Sequence, residues 1–330
     1  MTKAEITWTL KSVMSHFSYS SAADMNAVFQ AMFPDSEIAR KFQLGSTKMA
    51  YVLKFGLAPY FHKELLSQLK DCEHIVVAFD ESLNKVTQHG QMDIHVRFYD
   101  KDVGRVSTRY LGSQFLGHAT ADDLLDKFLA ALKELRCDRV VQISMDGPSV
   151  NWLFLDKLRK KLERDPDDSH LLDLGSCSLH IVHGAFQTGA KASGFNISNL
   201  LTSLYYLFND SPARRDDYQK LTSSSKFPLK LCAHRWLENG AVAQRAIEIW
   251  KHVKKYVVDV KKKPDSKSFA TVKESVNDPL IIANLSFFVS VVSHIKRFLT
   301  MFQGDRPLAP FLCDELACIF KELMNRFIKL

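Results

Sequence analysis

Two acidic residues stand where apolar runs end. Asp80 closes Ile75-Val76-Val77-Ala78-Phe79-Asp80, and Asp146 closes Val140-Val141-Gln142-Ile143-Ser144-Met145-Asp146 ahead of Gly147-Pro148. If the two runs are parallel neighbours in one sheet, their carboxylates emerge side by side. Hard divalent cations take such oxygen sites and carry them to phosphate, where they stabilise attacking and leaving oxygens. That is nuclease-like chemistry. Asp at a strand end is also a common turn former, so the weight falls on the pair and on the fold that would bring the two together.

The patterning around them is that of a mixed α/β core. Ile75–Phe79 is a short continuous apolar run, as expected of a central strand buried on both faces. Residues 91–99 alternate strictly, with Met92, Ile94, Val96 and Phe98 on one face. After the turn at Asp100-Lys101-Asp102-Val103-Gly104, residues 105–115 read as a third strand, giving two consecutive hairpins. A helix follows over about 120–135, with Thr120 as N-cap, Asp122 and Asp123 at its positive end, and Leu124, Leu125, Phe128, Leu132 and Leu135 as its buried stripe. It crosses over to the strand at 139–145, which a right-handed connection sets parallel to an earlier strand. A helix over Ser149–Leu162 and a fifth run at Leu171–Leu174 complete the order βββαβαβ. That order, with acids ending strands one and four, is the ribonuclease-H-like arrangement, strand order 3-2-1-4-5.

Residues 1–70 carry helical periodicity throughout and read as an N-terminal helical lobe, with Pro34-Asp35-Ser36 and Gly45-Ser46-Thr47 opening new helices. The expected organisation is a lobe over 1–70, an α/β core over 71–186 and a helical region over 187–330. Leu280 to Phe302 is interrupted by Asn284, His294, Lys296 and Arg297 and reads as a buried helix, so no membrane role is expected. Residues 312–330 form an amphipathic helix with Leu316, Ile319, Phe320, Leu323 and Phe327 on one face.

The 330 residues are 46% hydrophobic and 25% charged, which is ordinary for globular domains and excludes a disordered chain. A net charge of +7 is compatible with a polyanionic partner without requiring one. The six cysteines form no CxxC pair, which suits a reducing compartment, and the first residues lack the apolar core of a signal peptide. Cys177, His180 and His183, with Cys232 and His234, raise the question of zinc. Their spacing drifts around a helix without a CxxC, so zinc is not expected; a small buried Cys177 and hydrogen-bonded histidines fit better. The densest basic stretch contains Lys251, Lys254, Lys255, Lys261, Lys262, Lys263 and Lys267. It reads either as a solvated helix face or as a set of non-specific phosphate contacts.

The ordered set Phe79-Asp80-Glu81-Ser82, Met145-Asp146-Gly147-Pro148-Ser149, Cys177-Ser178-Leu179-His180 and Arg235-Trp236 resembles the hAT family of DNA transposases and their domesticated descendants, over nearly the whole chain. The resemblance implies a ribonuclease-H-like catalytic domain with a helical insertion after the fifth strand, and Mg²⁺ or Mn²⁺ as the metal if the chain is active. Asp80 would be the first acid and Asp146 the second. Cys177 and His180 would be a catalytic-domain signature that need not bind metal. Trp236 would stack on a displaced base with Arg235 on phosphate, although a tryptophan heading a helix is often core packing. The family's third acid, a glutamate, lies beyond the insertion. Glu238, Glu248, Glu315 and Glu322 do not match its position, so the third acid is unassigned and 187–330 reads as a partial insertion.

The expected function is therefore nucleic-acid binding in the nucleus, with DNA as a weakly specific partner held in part by Lys254, Lys255, Lys261 and Lys262, and with chemistry incomplete. An active metal-dependent transposase or nuclease, and a protein-interaction scaffold with homo-oligomeric or protein partners and no nucleic acid, are the alternatives.

Overall fold

The structure, a computed structural model, describes residues 3–162, 171–232, 235–304, 306–326 and 328. The chain divides into two compact units, Met1–Leu174 and Gly175–Leu330.

The first unit opens with five helices, α1 (Lys3–Met14), α2 (Met25–Met32), α3 (Glu37–Lys41), α4 (Ser46–Tyr51) and α5 (Ala58–Lys70), with one π-helical stretch at Val52–Leu57 between the last two. Ser36 caps α3 by accepting from the Ala39 N–H at 3.3 Å, as its position before an acidic first turn suggests. The small core of this lobe is aromatic. Phe29 meets Trp8 and Phe42 edge-on, with ring centroids 5.1 and 4.9 Å apart. The buried Glu5 ties α1 to α4, its carboxylate accepting from Lys48 Nζ at 2.7 Å and from the Gln43 N–H at 3.1 Å.

The sheet follows, built from β1 (Ile75–Asn84), β2 (His89–Asp100), β3 (Arg105–Leu116) and β4 (Val140–Ser144) in the order β3-β2-β1-β4. Both hairpins are antiparallel and β4 lies parallel to β1. The fold of this unit is thus α/β with a four-stranded mixed sheet. The strand that the sequence marks most clearly behaves as its alternation requires, with Met92, Ile94, Val96 and Phe98 all buried.

β1 departs from the expected double burial. Ile75, Val77 and Phe79 are buried, while Val76 and Ala78 are only half-buried and Asp80 is exposed. One face of the sheet packs under α6 (Ala121–Leu132) and α7 (Ser149–Leu162), and the other is polar. Phe79 reaches Phe128 of α6 and Phe154 of α7, at 5.7 and 5.2 Å between centroids, and these two rings meet at 5.2 Å. Thr120 caps α6 by accepting from the Asp123 N–H at 3.2 Å.

Leu171–Leu174 does not form a strand ladder. The Leu172 N–H donates to the Val141 carbonyl of β4 at 2.7 Å. Leu171 is buried, while Leu172 and Leu174 face outward and Asp173 pairs with Arg159 of α7 at 3.2 Å.

Among the described residues the second unit is all-α: α8 (Ser178–Ala192), α9 (Ile197–Phe208), α10 (Pro212–Thr222), α11 (Gly240–Asp259), α12 (Lys267–Asn277), α13 (Ile281–Phe302) and α14 (Leu312–Met324), with short 3₁₀ turns between some of them. The expected boundary at residues 186 and 187 falls inside α8. The core of this unit gathers Leu200, Leu204, Phe208, Tyr218, Trp250, Tyr256, Leu285 and Phe298. By length and composition α13 could cross a membrane. Its apolar residues nevertheless form a buried stripe, Ile281, Leu285, Phe288, Val292, Ile295, Phe298 and Leu299, set into that core. α11 comes so close to α13 that a Cβ on Gly240 would lie 2.7 Å from Val292 Cγ1. Leu316, Ile319, Phe320 and Leu323 lie on α14, none of them fully buried, and Phe327 lies outside the described residues.

Candidate functional site

The parallel pairing of β1 and β4 sets Ala78 opposite Ser144. Asp80 lies two residues beyond Ala78, still inside β1 and so not at the strand end the sequence suggests, and Asp146 lies two residues beyond Ser144, in the turn that follows β4. β4 stops at Ser144 whereas β1 runs on to Asn84. Past Ser144 the edge of β1 has therefore lost its parallel neighbour, and the turn Met145–Pro148 leads from that edge into α7. Asp80 is exposed and Asp146 half-buried.

Three further groups gather near this strand end, none of them assigned from sequence. Asp93 lies directly across from Asp80 in the β1–β2 register, on the polar face. Gln91 Nε2 donates to its carboxylate at 2.7 Å, and Ser113 Oγ donates to it as well.

Glu81 pairs with the buried Met92 and so points to the helix-covered face. Burial pushes its carboxyl above the usual glutamate range. The Asn151 amide opposes that shift, and the negative charges of Asp80 and Asp146 add to it.

Asn151, in the first turn of α7, is 3% exposed. Its Nδ2 donates to the Asp146 carbonyl at 3.4 Å, and its Oδ1 is buried without a hydrogen-bond partner. A buried amide oxygen left unpaired costs about 1–3 kcal/mol.

Alternation along β2 would have marked Asp93 as facing away from the core. The tandem Asp80-Glu81 would have marked a carboxylate on each face of β1. Asn151 left no such signal, because its neighbours come from a strand about seventy residues earlier. Among the described residues, neither Asp80 nor Glu81 joins a group of three ligating side chains whose donor atoms lie within 4.8 Å of one another.

In the second unit Cys177 is the N-cap residue of α8 and His180 is exposed on its first turn. His183, one turn on, is buried, and its Nδ1 accepts from the Leu237 N–H at 3.4 Å. Burial first, then the charge of His180, holds His183 below the ordinary imidazole range. Glu238 opposes this and Arg235 adds to it.

The same turn is fixed by Asn239, fully buried, which accepts from the Cys232 N–H at 2.7 Å and donates to the Cys232 carbonyl at 2.8 Å. These contacts make His183 and Asn239 structural anchors of the segment that carries Arg235. Arg235 is exposed, and Trp236 begins the 3₁₀ turn Trp236–Asn239. His234 lies outside the described residues.

Lys251, Lys254 and Lys255 are exposed on α11, Lys261, Lys262 and Lys263 are exposed in the segment leading into α12, and Lys267 is exposed as the first residue of α12. None forms an ion pair with a described residue. The buried stripe of α11, including Ala246, Ile249, Trp250, Val253, Tyr256 and Val257, turns these lysines outward.

No protein-family model and no curated protein matches the sequence.

Proposed function

We propose that the chain is a nucleic-acid-binding protein of ribonuclease-H-like build, related to hAT transposases, that holds a divalent cation at its strand-end acids without completing strand cleavage. The observation that carries this reading is the parallel pairing of β1 and β4, which sets Ala78 opposite Ser144, each two residues before one of the two aspartates. Carboxylates carried just past a parallel strand pairing suit an Mg²⁺ or Mn²⁺ ion that meets a phosphate. In this reading Leu171–Leu174 stands where a fifth strand would lie, giving the order 3-2-1-4-5, and the Leu172–Val141 hydrogen bond is what supports it.

The residues present suit one ion better than two. Two ions about 3.5–4 Å apart need several carboxylate oxygens against their mutual repulsion, and the resemblance assigns only Asp80 and Asp146 to that task. Binding is therefore expected without cleavage. The uncompensated lysines at 251, 254, 255, 261, 262 and 263 supply the electrostatic part, which is insensitive to sequence and steeply dependent on salt. Arg235, exposed beside the Trp236 turn, adds a further phosphate contact. The setting is the nucleus.

The experiment is binding to duplex and single-stranded DNA across a salt series, with Mn²⁺ present, and with strand nicking read in the same samples. Salt-sensitive binding without nicking supports the proposal. Nicking that disappears in Asp80→Ala and Asp146→Ala would replace it with an active nuclease. Absence of affinity at low salt would leave a protein-interaction scaffold.

A further inference from the structure

We propose that the second unit binds a fatty acid, with the hydrocarbon tail in an apolar cavity between α8, α13 and α14 and the carboxylate at Lys191. This goes beyond nucleic-acid binding and uses none of the residues that support that reading.

The cavity has a volume of about 610 Å³, within the range of small-molecule sites. It owes its room to α8. Ala185 and Gly189 of that helix and its C-cap residue Ser193 follow at four-residue spacing, so they share one face and present almost no side chain to the cavity they line. A Cβ added at Gly189 would meet no atom within 4 Å. The facing walls are large, with Phe287 and Val291 from α13 and Ile319, Phe320 and Leu323 from α14.

A hydrocarbon chain suits these walls better than a peptide does. An extended peptide would bury N–H and C=O groups that need partners. The one polar side chain in the lining, Ser193, already donates to the Ala190 carbonyl at 2.8 Å and accepts from the Phe195 N–H at 3.2 Å. An alkyl chain brings no such groups.

The charge lies to one side. A polar hollow of about 330 Å³, lined by Lys191, Gly194, Asn196 and Ser198, shares Ala190, Phe195 and Ile197 with the apolar cavity as walls. Lys191 is exposed and pairs with no acid among the described residues, and neither lining contains an acidic side chain. α9 begins at the same hollow, and Asn196 leaves its first N–H groups without a side-chain cap. The partial positive charge of that helix end adds to the charge of Lys191. An anionic head on a hydrocarbon tail therefore matches the two adjoining spaces in charge and in polarity.

The test is calorimetric titration of the full chain with decanoate and laurate below their micelle concentrations, with dodecanol as the uncharged probe. The wild type is expected to bind one laurate, and to bind it more tightly than decanoate by up to about sixteenfold, since each buried methylene is worth about fourfold. Gly189→Phe, which fills the cavity, should abolish binding of all three probes. Lys191→Glu should weaken laurate about tenfold and leave dodecanol unchanged. Gly184→Ala, on α8 outside both linings, should bind as the wild type does. Thermal unfolding identifies any variant that fails to fold, and the chain-length comparison on the wild type together with Lys191→Glu keeps the test open if Gly189→Phe does not fold. Absence of saturable binding by the wild type, binding that survives Gly189→Phe, or laurate binding indifferent to Lys191→Glu would overturn the proposal. Self-association of the wild type that Gly189→Phe abolishes, read by sedimentation equilibrium, would overturn it in favour of a second copy of the chain.

Discussion

Phe79 of β1 and Phe154 of α7 meet nearly edge to face, at 5.2 Å between centroids and 81° between planes. That contact sets how α7 lies on the sheet, and with it the turn carrying Asp146 into α7. Phe154 is fully buried, and removing its ring leaves a cavity between two helices and the strand. Phe154→Ala is expected to cost about 3–5 kcal/mol, measured by urea unfolding. Leu153→Ala, one residue earlier and exposed on α7, should change stability little. Equal costs for the two would contradict the packing described.

In the second unit the close approach of α11 to α13 is a sharper steric statement. A methyl group at residue 240 would enter the van der Waals shell of Val292, which is itself buried. Gly240→Ala should destabilise by about 1–3 kcal/mol even though alanine is the better helix former. Combining it with Val292→Ala should recover part of that loss. Unfolding of the two single variants and the double variant checks this, and additive losses would contradict it.

The depressed proton affinity of His183 has a definite sign. Because the folded state holds this imidazole neutral more strongly than the unfolded chain does, the unfolded state binds the extra proton between the two titrations. Stability is therefore full above the ordinary imidazole value of 6.5 and falls as the pH drops below it. His183→Gln removes this contribution. Unfolding midpoints measured from about pH 7 to about pH 5 should fall less steeply for the variant than for the wild type, and identical slopes would refute the assignment.

The lysines of α11 and the segment after it should act through phosphate alone. Replacing Lys254, Lys255, Lys261 and Lys262 together by Ala should weaken DNA binding at low salt. It should also reduce the slope of log K against log salt by about 3–4 units for duplex, if each contacts one phosphate. Preference among DNA sequences should not change. Loss of affinity with an unaltered slope would place the phosphate contacts elsewhere.

Much of the α/β core can be read from short-range pattern. β2 declares itself because its period of two is strict, and α7 because its limits coincide with a Pro-led turn and the end of its apolar stripe. The parallel pairing that precedes Asp80 and Asp146 is legible because the crossover through α6 constrains β4 to run parallel to β1.

What could not be read depends on meetings between distant segments. Asn151 looks like any polar residue in a first helical turn until Glu81 is placed beside it. Asn239 and His183 look like surface residues until the 232–239 segment folds back onto α8. Leu171–Leu174 resembles a strand by composition, but only Leu171 finds a buried place. The first strand looked buried on both faces because Val76 and Ala78 are small and apolar, although the face they occupy carries Asp80, Asp93 and His95.

The central claim is that residues 80 and 146 share one cation, and localised cleavage by bound iron tests it most directly. Fe²⁺ loaded in place of Mg²⁺, with ascorbate and peroxide added, cuts the polypeptide beside its ligands, and mass spectrometry maps the cuts. The expected cuts fall together near residues 79–82 and 145–147, compete with Mg²⁺, and disappear at both places in either Asp80→Asn or Asp146→Asn. Cuts at one of the two segments alone, or cuts at both that survive the single substitutions, would contradict a shared site.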